Sequence, residues 1–190
     1  MNNTINFGAK IPIAKCQIQK TLTKASMPAT IYEYDCKDVE DWVALKNQKG
    51  SWAYLGLFTE RMLDKYNLSK AMEDFKCYVI EGQKGELLGF VQTKDRLLST
   101  DIQLLETSAN KEYKYVGKTL LSTVAKIALR ENRNNLTVSY PVDSALDFYV
   151  KGCGFEPTRA TLLRMNKEGM QELISKTQEQ TKAPIVDLIG

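Results

Sequence analysis

Ala145-Leu146-Asp147-Phe148-Tyr149-Val150-Lys151-Gly152-Cys153-Gly154-Phe155 decides how the rest of this 190-residue chain is read. Asp143 stands where an N-cap is expected, the spacing predicts a short helix over 144–151, and Gly152 and Gly154 bracket its exit toward a strand at 161–165. A tyrosine on such a helix is held at the lip of a cleft. Upstream, Lys114-Tyr-Val-Gly-Lys-Thr119 sets Gly117 at the mouth of a second helix. Leu120, Leu121, Val124, Ile127 and Ala128 give that helix its apolar face, and it ends near Asn132. Unpaired N–H groups and the helix dipole at its start attract phosphate oxygens. Gly117 precedes Tyr149 by 32 residues, and a phosphate holder followed by a phenol points to a nucleotide-bearing cofactor.

Outward from this pair the period changes. Residues 75–80 and 86–92 flank Gly82-Gln-Lys-Gly85 and read as a hairpin, with 101–107 as a third neighbouring strand and 136–140, ended by Pro141, as a fourth. Nearer the N-terminus, Ile11, Ile13, Cys16 and Ile18 make a peripheral strand or arm that Pro28 breaks. Residues 29–35 then alternate as a first core strand. Asp35 or Asp38 caps a helix carrying Val39, Trp42, Val43 and Leu45 that Gly50 closes, and 55–66 forms another. Beyond 167 an appended helix carries Met170, Leu173 and Ile174 on one stripe, and the apolar tail from Ala183 to Gly190 docks on the body or on another subunit. Helical connections out of the central strands predict a mixed α/β fold whose sheet is partly parallel and flanked by helices on both faces. The chain divides into an N-terminal arm or extra strand (1–28), one central domain (29–166) and a C-terminal helix and tail (167–190).

Composition narrows the chemistry. A hydrophobic content of 43% over this length supports one well-buried domain. The 26 basic residues interleave with 23 acidic ones for a net charge of +3, which does not indicate a nucleic-acid partner. With no histidine and no C-x-x-C pair among the 4 cysteines, neither imidazole catalysis nor a zinc site is expected. No apolar run reaches the roughly 18 residues of a membrane helix, so a reduced, cytoplasmic setting without membrane contact is the expectation.

The element order and both motifs resemble the GNAT superfamily of acyl-CoA-dependent N-acetyltransferases over about residues 29–166. The family's phosphate loop follows R/Q-x-x-G-x-G/A. Lys114, Gly117 and Thr119 occupy those positions here, so the central glycine is kept and the outer two depart. Residues 145–155 resemble the A-x-x-F-Y-x-K-x-G-F pattern of the family's later helix, and Gly89-Phe-Val resembles its third strand. The resemblance implies acetyl-CoA as co-substrate, bound by backbone around Lys114, Tyr115, Val116, Gly117, Lys118, Thr119 and Leu120. It implies direct transfer to an amine, with no metal, no covalent enzyme intermediate and, by fold analogy, a homodimer.

In that chemistry a backbone N–H near Leu105 or Thr107 polarises the thioester oxygen, and Tyr149 is the general acid toward the departing thiolate. Tyr149 also shares a face with Ala145, Phe148 and Gly152, which equally suits a core aromatic. Two carboxylates stay open as base. Glu106 ends the third central strand, while alternation places Asp101 on the other face with Gln103, Leu105 and Thr107. The departures at Lys114 and Thr119 keep a second reading open, a catalytically degenerate acyl-CoA-binding module with a regulatory or interaction role. Trp42, Trp52, Tyr54 and Phe58 offer aromatic surface for an acceptor whose identity the residues do not name.

Overall fold

The computed structural model describes residues 10–34, 75–108, 112–159 and 161–188. The helices expected at 39–45 and 55–66, with their caps and the aromatics Trp42, Trp52, Tyr54 and Phe58, lie outside the described residues. The described chain runs β1 (Ile11–Lys20), β2 (Ser26–Tyr34), β3 (Phe75–Gly82), β4 (Leu87–Asp95), β5 (Ser99–Thr107) and β6 (Tyr113–Lys114). It continues with α1 (Val116–Arg130), β7 (Asn135–Ser139), β8 (Glu156–Arg159), β9 (Leu162–Asn166), α2 (Lys167–Thr181) and β10 (Val186–Asp187). One 10-stranded sheet takes the order β10-β1-β2-β3-β4-β5-β7-β9-β8, with β6 paired to β1.

The expected hairpin joins β3 to β4, and Gly85 alone of its two glycines takes positive φ, at 74°. Among the described strands only β5 and β7 pair in parallel, because α1 carries the chain back across the sheet between them. The strand at 162–166 is antiparallel to β7, because β8, a strand not among those expected, turns the chain back first. Of the two readings open for residues 11–20, strand or arm, the strand is the one that forms. β1 pairs with β2, β6 and β10, and β2 begins at Ser26 and runs through Pro28.

The helix α1 packs against the central strands, and α2 packs against α1 on the same face, where Ser122 Oγ donates to Thr177 Oγ1 at 2.7 Å. Leu120, Leu121, Val124 and Ala125 from α1 join Met170 and Leu173 from α2 and Ile31, Ile80, Val91 and Ile102 from the sheet in one core. Met170 and Leu173 are buried as their stripe predicts. Ile185 is also buried, so the tail docks on the body. Lys126 Nζ donates to the Ile185 carbonyl at 2.9 Å and pairs with Asp187.

Candidate functional site

Tyr115 is the N-cap of α1 in a left-handed conformation (φ 67°), with no side chain capping the helix and no acidic residue in its first turn. The first N–H turned inward belongs to Thr119, which donates to the Tyr115 carbonyl at 2.8 Å. The N–H groups before it head the helix toward a cleft of about 510 Å³. Leu105, Thr107, Lys114, Tyr115, Val116, Gly117 and Lys118 all line it, and so do Phe148 and Tyr149. The two sequence motifs therefore meet on one cavity.

Thr119 and Leu120 do not face it. Both are fully buried, and the Thr119 amide is committed to the helix. Lys118 borders the cleft, but its Nζ donates to Gln180 Oε1 at 3.2 Å. Tyr113, Ser144, Ala145 and Phe148 were not singled out from sequence as cleft walls. Phe148 carried a signal nonetheless: a Cβ on Gly117 would stand 3.2 Å from its ring, so glycine is the residue that admits the ring there.

The short helix takes another form than expected. A 3-10 turn, Asp143–Ala145, leads into a π-helical turn, Phe148–Cys153, which Gly154 ends at φ 85°. The cap is Val142, and Asp143 makes no side-chain cap bond. Between Lys151 and the Gly154-Phe155 pair the chain has one residue more than the A-x-x-F-Y-x-K-x-G-F pattern, and wider winding is how a helix absorbs an extra residue. Tyr149 is 6% exposed, with Phe148 and Phe155 packed edge-on at 5.2 and 5.6 Å between ring centroids. Its hydroxyl bonds to no other described residue. Burial, and then the Cys153 thiol beside it, push the phenol above its ordinary 10.0.

A smaller groove of about 130 Å³ adjoins the other side of Tyr149. It shares Leu105, Ala145 and Tyr149 with the cleft and is completed by residues such as Gln103, Leu104, Ser139 and Tyr140. Groove and cleft meet where β5 and β7 part: their pairing stops at Ile102–Val138. Ser108 N–H donates to the Leu88 carbonyl. Backbone alternation then turns the N–H groups of Leu104 and Glu106 toward β4 and those of Leu105 and Thr107 toward the fork.

The register corrects the face expected for Asp101. Gln92 opposes Leu104 and Thr93 opposes Ile102, so Gln103 is an extra residue in β5. That bulge resets the two-residue period. Asp101, Leu104 and Glu106 lie opposite Lys94, Gln92 and Phe90 on one face, while Leu105 and Thr107 lie opposite Val91 and Gly89 on the face that α1 covers. Asp101 is buried and accepts hydrogen bonds from Gln103, Thr137 and Ser139.

No family model and no curated protein matches the chain, whereas many solved structures do. It is similar to the PaiA N-acetyltransferase of Thermoplasma acidophilum in complex with coenzyme A (TM-score 0.52, 20% identity, 73% of this chain and 98% of that one). It is also similar to AtaTR bound with acetyl-CoA (TM-score 0.56, 18% identity, 76% and 97%). A third is the spermidine/spermine N-acetyltransferase SpeG of Vibrio cholerae, in mutant form (TM-score 0.53, 14% identity, 76% and 98%). The mixed sheet with its helices is thus the GNAT fold.

Proposed function

We propose that this chain, built on the GNAT fold, moves an acetyl group from acetyl-CoA directly to a primary amine. The observation that supports the reading is that an uncapped helix start and Tyr149 line one cleft, beside the fork between β5 and β7. The residues fit the group. The N–H groups from Tyr115 to Lys118 would hold the diphosphate, with no carboxylate in the first turn to repel it. The cleft volume falls within the usual range of roughly 300–1,000 Å³ for ligand sites.

The bound thioester supplies an activated acyl carbon. Leu105 and Thr107 N–H groups polarise its oxygen, and the amine attacks from the groove beyond Tyr149. As the C–N bond forms and the C–S bond breaks, Tyr149 gives its proton to sulfur, while Glu106 or water takes the proton lost from nitrogen. A buried phenol is a weaker acid than a free one. Desolvation of the leaving thiolate in the same cleft would make it more basic as well, and so would offset part of that rise.

Calorimetric titration with acetyl-CoA, followed by CoA release across a panel of amines, tests the proposal. Saturable binding and amine-dependent release that Tyr149→Phe lowers by about 10²-fold or more are expected. Absence of binding overturns the reading. Binding without turnover on any amine would assign the chain to acyl-CoA sensing instead.

A further inference from the structure

The chemistry proposed above uses Leu105 and Thr107 amides that face the fork only because β5 carries one extra residue, Gln103, just past its last pair with β7. A bulge in a strand otherwise free to slip by one residue requires something to hold it. The buried Asp101 carboxylate stands at that point and bonds to both arms of the fork. On β5, Gln103 Nε2 donates to its Oδ2 at 2.6 Å. On β7, Thr137 Oγ1 donates to Oδ1 at 2.9 Å, and Ser139 Oγ lies 3.3 Å from each oxygen. The Arg96 guanidinium, with its side chain 58% exposed, approaches Oδ2 at 3.5 Å.

Burying a carboxylate is unfavourable by several kcal/mol unless hydrogen bonds and charge compensate it, and here three side chains and an arginine do so. Those donors also occupy the lone pairs that a general base would use, so the carboxylate serves geometry and not proton abstraction. We infer that Asp101 is a positioning residue: by pinning the Gln103 bulge on one arm and Ser139 on the other, it aims the Leu105 and Thr107 amides into the cleft. The inference rests on the acetyl-transfer reading.

The test needs no knowledge of the acceptor. Acetyl-CoA labelled with carbon-13 at the carbonyl is bound to the full chain and its resonance recorded, beside calorimetric titration with free CoA, which has no acyl group. Wild type should move the carbonyl resonance downfield, as hydrogen bonding to its oxygen requires. Asp101→Asn and Gln103→Ala should lose most of that displacement while binding free CoA as tightly as wild type. Gln103 is exposed, so its variant decides the matter if Asp101→Asn fails to fold. Ile185→Ala, which weakens the fold far from the fork, should leave the resonance in place and so separates positioning from general destabilisation. Variants that bind CoA and keep the wild-type displacement overturn the inference, as does a wild type that binds acetyl-CoA without any displacement. A wild type that binds neither ligand overturns the acetyl-transfer reading and this inference together.

Discussion

Gly89 and Val116 sit so close that a Cβ built on the glycine would stand 2.8 Å from Val116 Cγ1 and 3.1 Å from Leu120 Cδ1. This contact seats the start of α1 on β4 and fixes how near the helix N-terminus comes to the fork. Gly89→Ala should therefore destabilise the fold by about 1–3 kcal/mol through overpacking, because the Glu106 carbonyl at 3.1 Å leaves the backbone little room to yield. A urea unfolding midpoint lowered at constant slope is the expected measurement.

Gly117 works differently. Its added Cβ would meet the Phe148 ring at 3.2 Å and Thr107 Cγ2 at 3.5 Å, both on cleft walls. Gly117→Ala gains roughly 0.5–1 kcal/mol of helix propensity, which offsets the crowding in stability. Acetyl-CoA affinity should nonetheless fall by about tenfold, or about 1.4 kcal/mol, by calorimetry. A thermal midpoint held or raised while affinity drops would separate the cleft role from a fold role.

Tyr149→Phe removes a hydroxyl that bonds to no other described residue. The variant should unfold within about 0.5 kcal/mol of wild type, as expected where no buried partner is orphaned. Because burial lifts the phenol above 10.0, Tyr149 should stay protonated beyond the pH at which a free tyrosine ionises. The rate measured with a responsive amine should accordingly show no loss from this group between pH 8 and about 10.

Alkaline stability follows from the buried thiols. Burial raises Cys16 and Cys153 from an ordinary 9.0 to about 12, with Lys118 opposing the shift at Cys153. The unfolded chain loses these protons from about pH 9, whereas the folded chain holds them to about 12. Their contribution is therefore fully present below pH 9 and is lost as pH rises through that window. Two such thiols give a slope of about 2.7 kcal/mol per pH unit. Denaturation followed from pH 8 to 11 should show it, joined above about pH 10 by the similar contribution of the raised Tyr149 phenol, and Cys16→Ala should remove about 1.4 kcal/mol per pH unit of it.

The C-terminal tail offers a check on its docking in cis. Ile185 is 4% exposed and its carbonyl accepts from Lys126. Ile185→Ala should cost about 2–4 kcal/mol by leaving a cavity between the tail and the body. The loss should not depend on protein concentration, since the contact lies within one chain.

Local pattern was enough for the central hairpin strands, which are buried on both faces, and for the starts of the two described helices. The strands at 75–82 and 87–95, the helix heads at 116 and 167, and the cleft motif around Gly117 were legible because side-chain period and glycine placement act over a few residues. Gly117 and Tyr149 stand 32 residues apart in the chain, and it is the fold that brings both to one cavity. What alternation could not supply was the face of Asp101, because an extra residue at 103 appears only in the pairing of β5 with β4 and reverses the phase of every residue behind it. The π-helical turn under Tyr149, the antiparallel run of β9 and the seating of the tail on β1 belong to the same class. Each is settled by which backbone groups find partners across distant segments, a balance of hydrogen bonds and burial that no short window of sequence contains.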